Sequence, residues 1–226
     1  MLRPRGAIMA NLNSSIAHIP LPKYMHGMAL TDNGYPALFF AKIIDGKPDI
    51  RVIDPAKVVA SIKEKRCWLC GKPLGVHLAF VIMPISAVTR STGEPPSHLD
   101  CALYAMRACP FLTRPFMRRR HAGMPEGIGA PGHVQMSNPG ASVLWVTRSY
   151  RPFPGPNGGI LISVGPPDRV DWWAEGRLAT RAEVDSAMEM SLPELYALCE
   201  KDRDPADSRR ALDRQVALLA PLMPVA

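Results

Sequence analysis

The chain has 226 residues, 27 Lys and Arg against 20 Asp and Glu, a formal net charge of +7 and a hydrophobic content of 47%. That length suits one large domain or one domain with a small appendage, and that composition is normal for a globular protein with a sizeable core. No apolar run approaches the roughly 18 residues a helical bilayer span needs, and the GAIMA stretch near the N-terminus is too short for a secretory core, so no membrane partner is expected.

In chain order, residues 1–15 carry basic groups and read as a loose arm, within which Met9 is an alternative start. Residues 16–174 read as an α+β body. Within it, 36–53 predicts a hairpin, because PALFFAKII and DIRVI flank the strong turn pair Asp45-Gly46. Asp54 then caps a helix that has Pro55 at its first position, Val58, Val59 and Ile62 on one face, and an end near Lys65. The Val- and Ile-rich run 74–85 predicts a buried strand, and 86–96 a polar return loop ending in Glu94-Pro95-Pro96. Ser97 is the expected cap of the next helix, which has Asp100 in its first turn and is closed by Cys109-Pro110. Leu99, Leu103 and Met106 recur on it at helical spacing.

Residues 110–140 are rich in Pro and Gly and hold a basic cluster. Strands are expected over 142–148, 159–164 and 169–173, with the turn 155–159 between the first two and Trp172 and Trp173 on opposite sheet faces. Residues 175–226 read as a C-terminal helical segment. Thr180 and Glu183 form a capping box for a helix over 181–190, and Ser191 and Glu194 suggest a second for 192–202. Asp204-Pro205 opens a third helix with Leu212, Val216 and Leu219 on its apolar face.

Five cysteines are an odd number, which argues against a disulfide framework. With no secretory signal, a reducing cytoplasm is the expected location, and there a close cysteine pair is more often a metal or redox site. Cys67 and Cys70 lie on a tight turn, and Gly71 directly behind them suits a backbone that bends closely. His98 and Cys101 stand i, i+3 at the start of a helix, so they share a face, and the helix N-terminus favours a thiolate. The pattern C-x2-C-x27-H-x2-C offers the four ligands that tetrahedral Zn²⁺ takes. It resembles the treble-clef zinc finger over residues 67–109, and that resemblance implies a knuckle, a strand-rich insert and a helix whose first turn supplies the second ligand pair.

Other readings of these residues stand beside zinc. A thioredoxin-like redox pair needs a helix after the cysteines, and Gly71-Lys72-Pro73 breaks one; two buried thiols without metal are the other alternative. Cys109 is the rival fourth ligand, but it lies eight residues beyond Cys101, about 12 Å along a helix rising 1.5 Å per residue. Cys109 and Cys199 therefore read as buried thiols, and His77, inside an apolar run, as a core histidine. Four protein ligands leave no position for water or substrate, so the zinc is expected to be structural.

The charge is uneven. From Asp168 onward there are eight basic and twelve acidic residues, which leaves nineteen basic and eight acidic in the first 167, a net of +11. A basic body favours an anionic partner, DNA or RNA among them, and Arg114, Arg118, Arg119 and Arg120 around Phe116 are the candidate contacts. A solvated basic loop is the plainer alternative. The helices at 181–190 and 192–202 have helix-turn-helix length, but Glu194, Glu200 and Asp202 make the second a poor reader of phosphates, and a protein partner through 175–226 suits it better. The turn 155–159 lacks the Lys-Ser/Thr of a P-loop. A metal-dependent nuclease of the treble-clef type would need His77 or His121 as general base.

EPPSHLDCALYAMRACPFLTRP and GRLATRAEVDSAMEMSLPEL are similar to hypothetical proteins recurring in bacteria and their phages. The resemblance implies a prokaryotic or phage setting. The expectation is an α+β protein built on a zinc-stabilised, treble-clef-like module with small antiparallel sheets and a helical C-terminal tail. It is read as non-enzymatic, binding nucleic acid through its basic surface, with the nuclease and the protein-interaction adaptor as alternatives.

Overall fold

The fold is described by a computed structural model covering residues 11–119, 135–155 and 158–225. The expected arm lies partly outside these residues; inside them, Leu12 is buried and the Asn13 N–H donates to Gly34 O at 2.9 Å.

The first hairpin is β1 (Ala41–Ile44) and β2 (Lys47–Ile53), paired antiparallel. Asp45 and Gly46 both take positive φ, 49° and 77°, as a two-residue turn matching strand twist requires. Helix α1 (Pro55–Lys63) starts where its cap predicts, with the Asp54 carboxylate accepting from the Ala56 N–H at 3.0 Å. Strand β3 (Leu78–Ile82) is shorter than the apolar run around it. Helix α2 (Pro84–Thr89) takes the end of the expected strand and the start of the expected loop, and the two-residue strand β4 (Ser91–Thr92) forms within that loop. Helix α3 (Leu99–Ala108) begins one residue later than its predicted cap, with His98 rather than Ser97 at the N-cap, and the single turn α4 (Pro110–Thr113) follows.

Five strands come next: β5 (Ser142–Thr147), β6 (Tyr150–Pro154), β7 (Ile160–Val164), β8 (Pro167–Ala174) and β9 (Arg177–Leu178). They join two antiparallel sheets, ordered β3-β5-β8-β9 and β4-β7-β6. The unexpected strand β6 carries Pro152 and Pro154 and lies at a sheet edge, where a missing N–H can face away from the ladder.

Strand β5 is buried along its whole length, because both faces of its sheet are covered. Val143 and Trp145 point to one side with Phe80 and Trp172, and Leu144 and Val146 to the other with Trp173. The first side is packed by α2 and the C-terminal helices α5 (Arg181–Cys199) and α6 (Pro205–Leu219); the second is packed by α3 through Ala102 and Met106. Trp172 and Trp173 thus fall on opposite faces, as the strand period of two dictates.

Helix α5 corrects the two-helix expectation for 181–202. It runs unbroken through Pro193, because its buried stripe of Val184, Ala187, Met188, Ser191, Leu195 and Cys199 continues past the proline. Ser191 starts no new helix. Its hydroxyl donates to Ala187 O at 2.7 Å and accepts from Gln135 Nε2 at 2.8 Å. Among the described residues no helix is long and apolar enough to cross a membrane.

The capping box at the head of α5 is present, with Thr180 Oγ1 accepting from the Glu183 N–H and Glu183 accepting from the Thr180 N–H at 2.8 Å. Hydrogen bonding from Arg177, then from the Thr180 backbone, holds the Glu183 carboxyl down from 4.5 to about 2. Its contribution is therefore complete above the unfolded value and lost as pH falls from 4.5 towards 2. Glu183→Gln is expected to cost about 1 kcal/mol at neutral pH. Urea unfolding of both proteins should show that gap closing as the pH is lowered through this window.

Candidate metal centre

The first two candidate ligands stand on a closed knuckle. Arg66 and Pro73 form an antiparallel bridge, the Cys67 N–H donates to Lys72 O at 2.8 Å, and the Gly71 N–H donates to Cys67 O at 2.8 Å. Gly71 is required twice over. Its φ is +72°, and a Cβ there would stand 2.6 Å from the Phe39 ring.

The second pair is brought to the knuckle by a short piece of sheet. Ala79 in β3 and Ser97 exchange backbone hydrogen bonds of 3.0 and 2.8 Å, and the Trp68 N–H donates to Pro96 O at 3.0 Å. Residue 98 is thereby set against Cys67, whose sulfur accepts from the His98 N–H at 3.4 Å and from the Cys70 N–H at 3.5 Å. One turn into α3, Cys101 reaches the same point.

The ligand atoms of Cys67, Cys70, His98 and Cys101 all lie within 4.8 Å of one another, close enough to coordinate a metal ion. His98 Nδ1 is 3.4 Å from Cys70 Sγ and 3.9 Å from Cys101 Sγ. A tetrahedral zinc with ordinary bond lengths would put a sulfur and a nitrogen ligand about 3.6 Å apart, so the arrangement fits. The tautomer fits as well. His98 Nε2 stands 2.9 Å from Pro73 O, and a proton donated there leaves Nδ1 with its lone pair facing the three sulfurs.

Burial completes the centre. Cys67 and Cys101 are fully buried and His98 is 8% exposed, while Cys70 is partly open. Tyr24 stacks on the His98 ring at 4.0 Å and 13°, and Phe40 stacks on Trp68 at 4.9 Å. Both rings come from residues 11–40, which share with Cys67 and Cys101 a core of Leu12, Ile16, Ile19 and Met25. Hydrogen bonds from Cys101, then from Cys70, push the Cys67 thiol far below its ordinary value, and the same interactions, Cys67 first, drive Cys101 upward. Three thiols set this close repel one another as thiolates, and a divalent cation is the charge that would let all three ionise.

The remaining sequence candidates are scattered. Cys199 is buried in α5, and Cys109 is half-buried at the end of α3, its thiol pushed up by burial; neither belongs to the cluster. His77 is not a core histidine. It precedes β3, its side chain is 59% exposed, and Nδ1 lies 3.9 Å from Asp168, which Arg148 also holds at 2.9 Å. Arg114 and Arg118 are exposed. Arg119 stands over the Phe111 ring at 4.6 Å, with Glu94 at 3.9 Å. Arg120 and His121 lie outside the described residues.

Sequence reasoning passed over Tyr24, Phe39 and Pro73, which support the site. A weak signal existed in the spacing of Leu12, Ile16 and Ile19 ahead of Tyr24, an apolar series with no other surface to cover. Comparison with protein-family models, with curated proteins and with solved structures finds no match to the chain.

Proposed function

We propose that Cys67, Cys70, His98 and Cys101 hold one structural zinc ion, and that the protein is a non-enzymatic binding protein meeting nucleic acid through its basic surface. The observation that carries this reading is the set of three sulfurs and one imidazole nitrogen within 4.8 Å, buried at three of its four residues. Four protein ligands fill a tetrahedral shell, and a filled shell leaves no place for a substrate. The knuckle, the Ala79–Ser97 bridge and α3 support a treble-clef-like description of 67–109.

The nucleic-acid part rests on charge. The first 167 residues carry a net +11, and Arg114 and Arg118 are exposed within that body. Guanidinium forks at such positions suit phosphate oxygens. Fluorescence anisotropy with labelled DNA and RNA is expected to show affinity falling steeply with salt. Arg114→Ala with Arg118→Ala should flatten the log–log slope by about 0.7–0.9 for each phosphate no longer neutralised. Absence of binding to any single or double strand at about 50 mM salt would sink this part of the reading.

A further inference from the structure

The second sheet presents an outer face that the zinc site does not use. In the β4-β7-β6 sheet, Ser163 pairs with Ser91 on one side and with Arg151 on the other, so the three side chains form a row on one face. Phe153 and Leu161 form the next row on that face. The opposite face is closed, since Ile162 and Val164 point into the core. Arg90, Ser91, Arg151, Phe153 and Ser163 border a hollow of about 430 Å³.

Its electrostatics are one-sided. Among the described residues, two guanidiniums border the hollow and no carboxylate does. Elsewhere Arg148 lies against Asp168, Arg169 against Asp171 and Arg177 against Glu183, yet neither Arg90 nor Arg151 has an ion-pair partner among the described residues. Arg90 is also held in place. It ends α2 in the left-handed region, φ 49°, where glycine would be the easier residue, and its guanidinium lies over the Trp145 ring at 5.4 Å. The Ser91 and Ser163 hydroxyls, which border the same hollow, add donors that suit phosphate oxygens.

We propose that this face binds a single-stranded nucleic acid, with Arg90 and Arg151 taking backbone phosphates and Phe153 stacking on a base. Charge complementarity selects a polyanion, and the half-buried ring beside the cations selects a single strand, because in a duplex neighbouring base pairs cover the faces a phenyl ring would stack on. The proposal rests on the nucleic-acid reading above and moves its main binding surface from residues 114–119 to the sheet.

The test uses the full chain purified with zinc, a labelled oligothymidylate of roughly 20 nucleotides and a duplex of equal length. Anisotropy titrations run from about 50 to 200 mM salt. The single strand should bind more tightly than the duplex. Arg90→Ala with Arg151→Ala should weaken single-strand binding at least tenfold and lower the salt slope by about 1.4, two phosphates at roughly 0.7 each. Phe153→Ala should weaken it about tenfold with the slope unchanged, and Phe153→Trp should restore it. Arg151→Glu alone, on an exposed edge position, keeps the test independent of any disturbance around Trp145. If the protein binds the strand, and these variants bind as wild type while Arg114→Ala with Arg118→Ala weakens it, the sheet proposal is overturned and the earlier reading stands. The reverse pattern supports the sheet and removes residues 114–119 as the main binding surface. No binding by the wild type overturns both.

Discussion

Cys67→Ser is expected to unfold the module around residues 66–109 and to release the segment that covers it. Cys67 is fully buried, accepts two backbone N–H groups and meets the three other donors, so no other side chain can replace its sulfur. Structural zinc in small modules contributes about 10–16 kcal/mol of apparent binding free energy, which in them is folding free energy. With zinc in the cluster, most of that would be at stake when one of the four proposed ligands is removed, against a typical domain stability of about 5–15 kcal/mol. Hydrogen exchange measured by mass spectrometry should show peptides spanning 11–40, 66–75 and 97–109 losing protection. EDTA in excess should reproduce the effect on wild type, and added zinc should reverse it. Cys109→Ser, outside the cluster, should leave the same peptides protected.

The second large effect belongs to Trp145. It is fully buried in the central strand β5, its Nε1 donates to Gly165 O at 3.0 Å, and Arg90 lies over its ring. Trp145→Ala removes a large side chain from the packing of α2, α5 and α6 and leaves a carbonyl unpaired, an expected loss of about 3–5 kcal/mol. Urea unfolding followed by far-UV circular dichroism should show the midpoint falling with little change in slope. Trp145→Phe keeps most of the packed surface and should lose less than half as much.

The parts of the fold legible in the sequence were those whose determinants are local. Asp45-Gly46 specifies a turn by its own backbone preference, Asp54-Pro55 and Asp204-Pro205 specify helix starts, and Thr180 with Glu183 specifies another. The candidate ligands were legible for the same reason, since two pairs with local spacing, each on a recognisable element, needed only to be brought together. What was hidden depends on distant partners. Which strand pairs with which is decided by packing, so nothing near 159–164 told that β7 leaves its sequence neighbour β8 to pair with β4 and β6.

Two misreadings had local causes. Strand β6 went unread between 148 and the turn at 155–159, and its edge position is what tolerates Pro152 and Pro154. Ser191 and Glu194, read as a capping box with Pro193 between them, argued for a helix boundary. An interior proline costs about 3 kcal/mol, and here the burial of Leu195 and Cys199 beyond it outweighs that cost. The stripe from Val184 to Cys199 carried this information, and a reading by apolar spacing rather than by the Ser191–Glu194 pair would have found one helix.

The supporting shell of the metal centre was hidden because Tyr24, Phe39 and Phe40 reach it from residues with little regular structure. Their role follows only from seeing His98 stacked under Tyr24 and the Gly71 position closed by Phe39. The centre is therefore better described as the joint between the N-terminal segment, the knuckle and α3 than as a finger standing alone.

The most direct test is the metal content of the purified protein and of two single-cysteine variants. One zinc per chain in the wild type and in Cys109→Ser, with none in Cys101→Ser, is the predicted result. Zinc retained in Cys101→Ser and absent from Cys109→Ser, or no zinc in the wild type, would contradict the assignment.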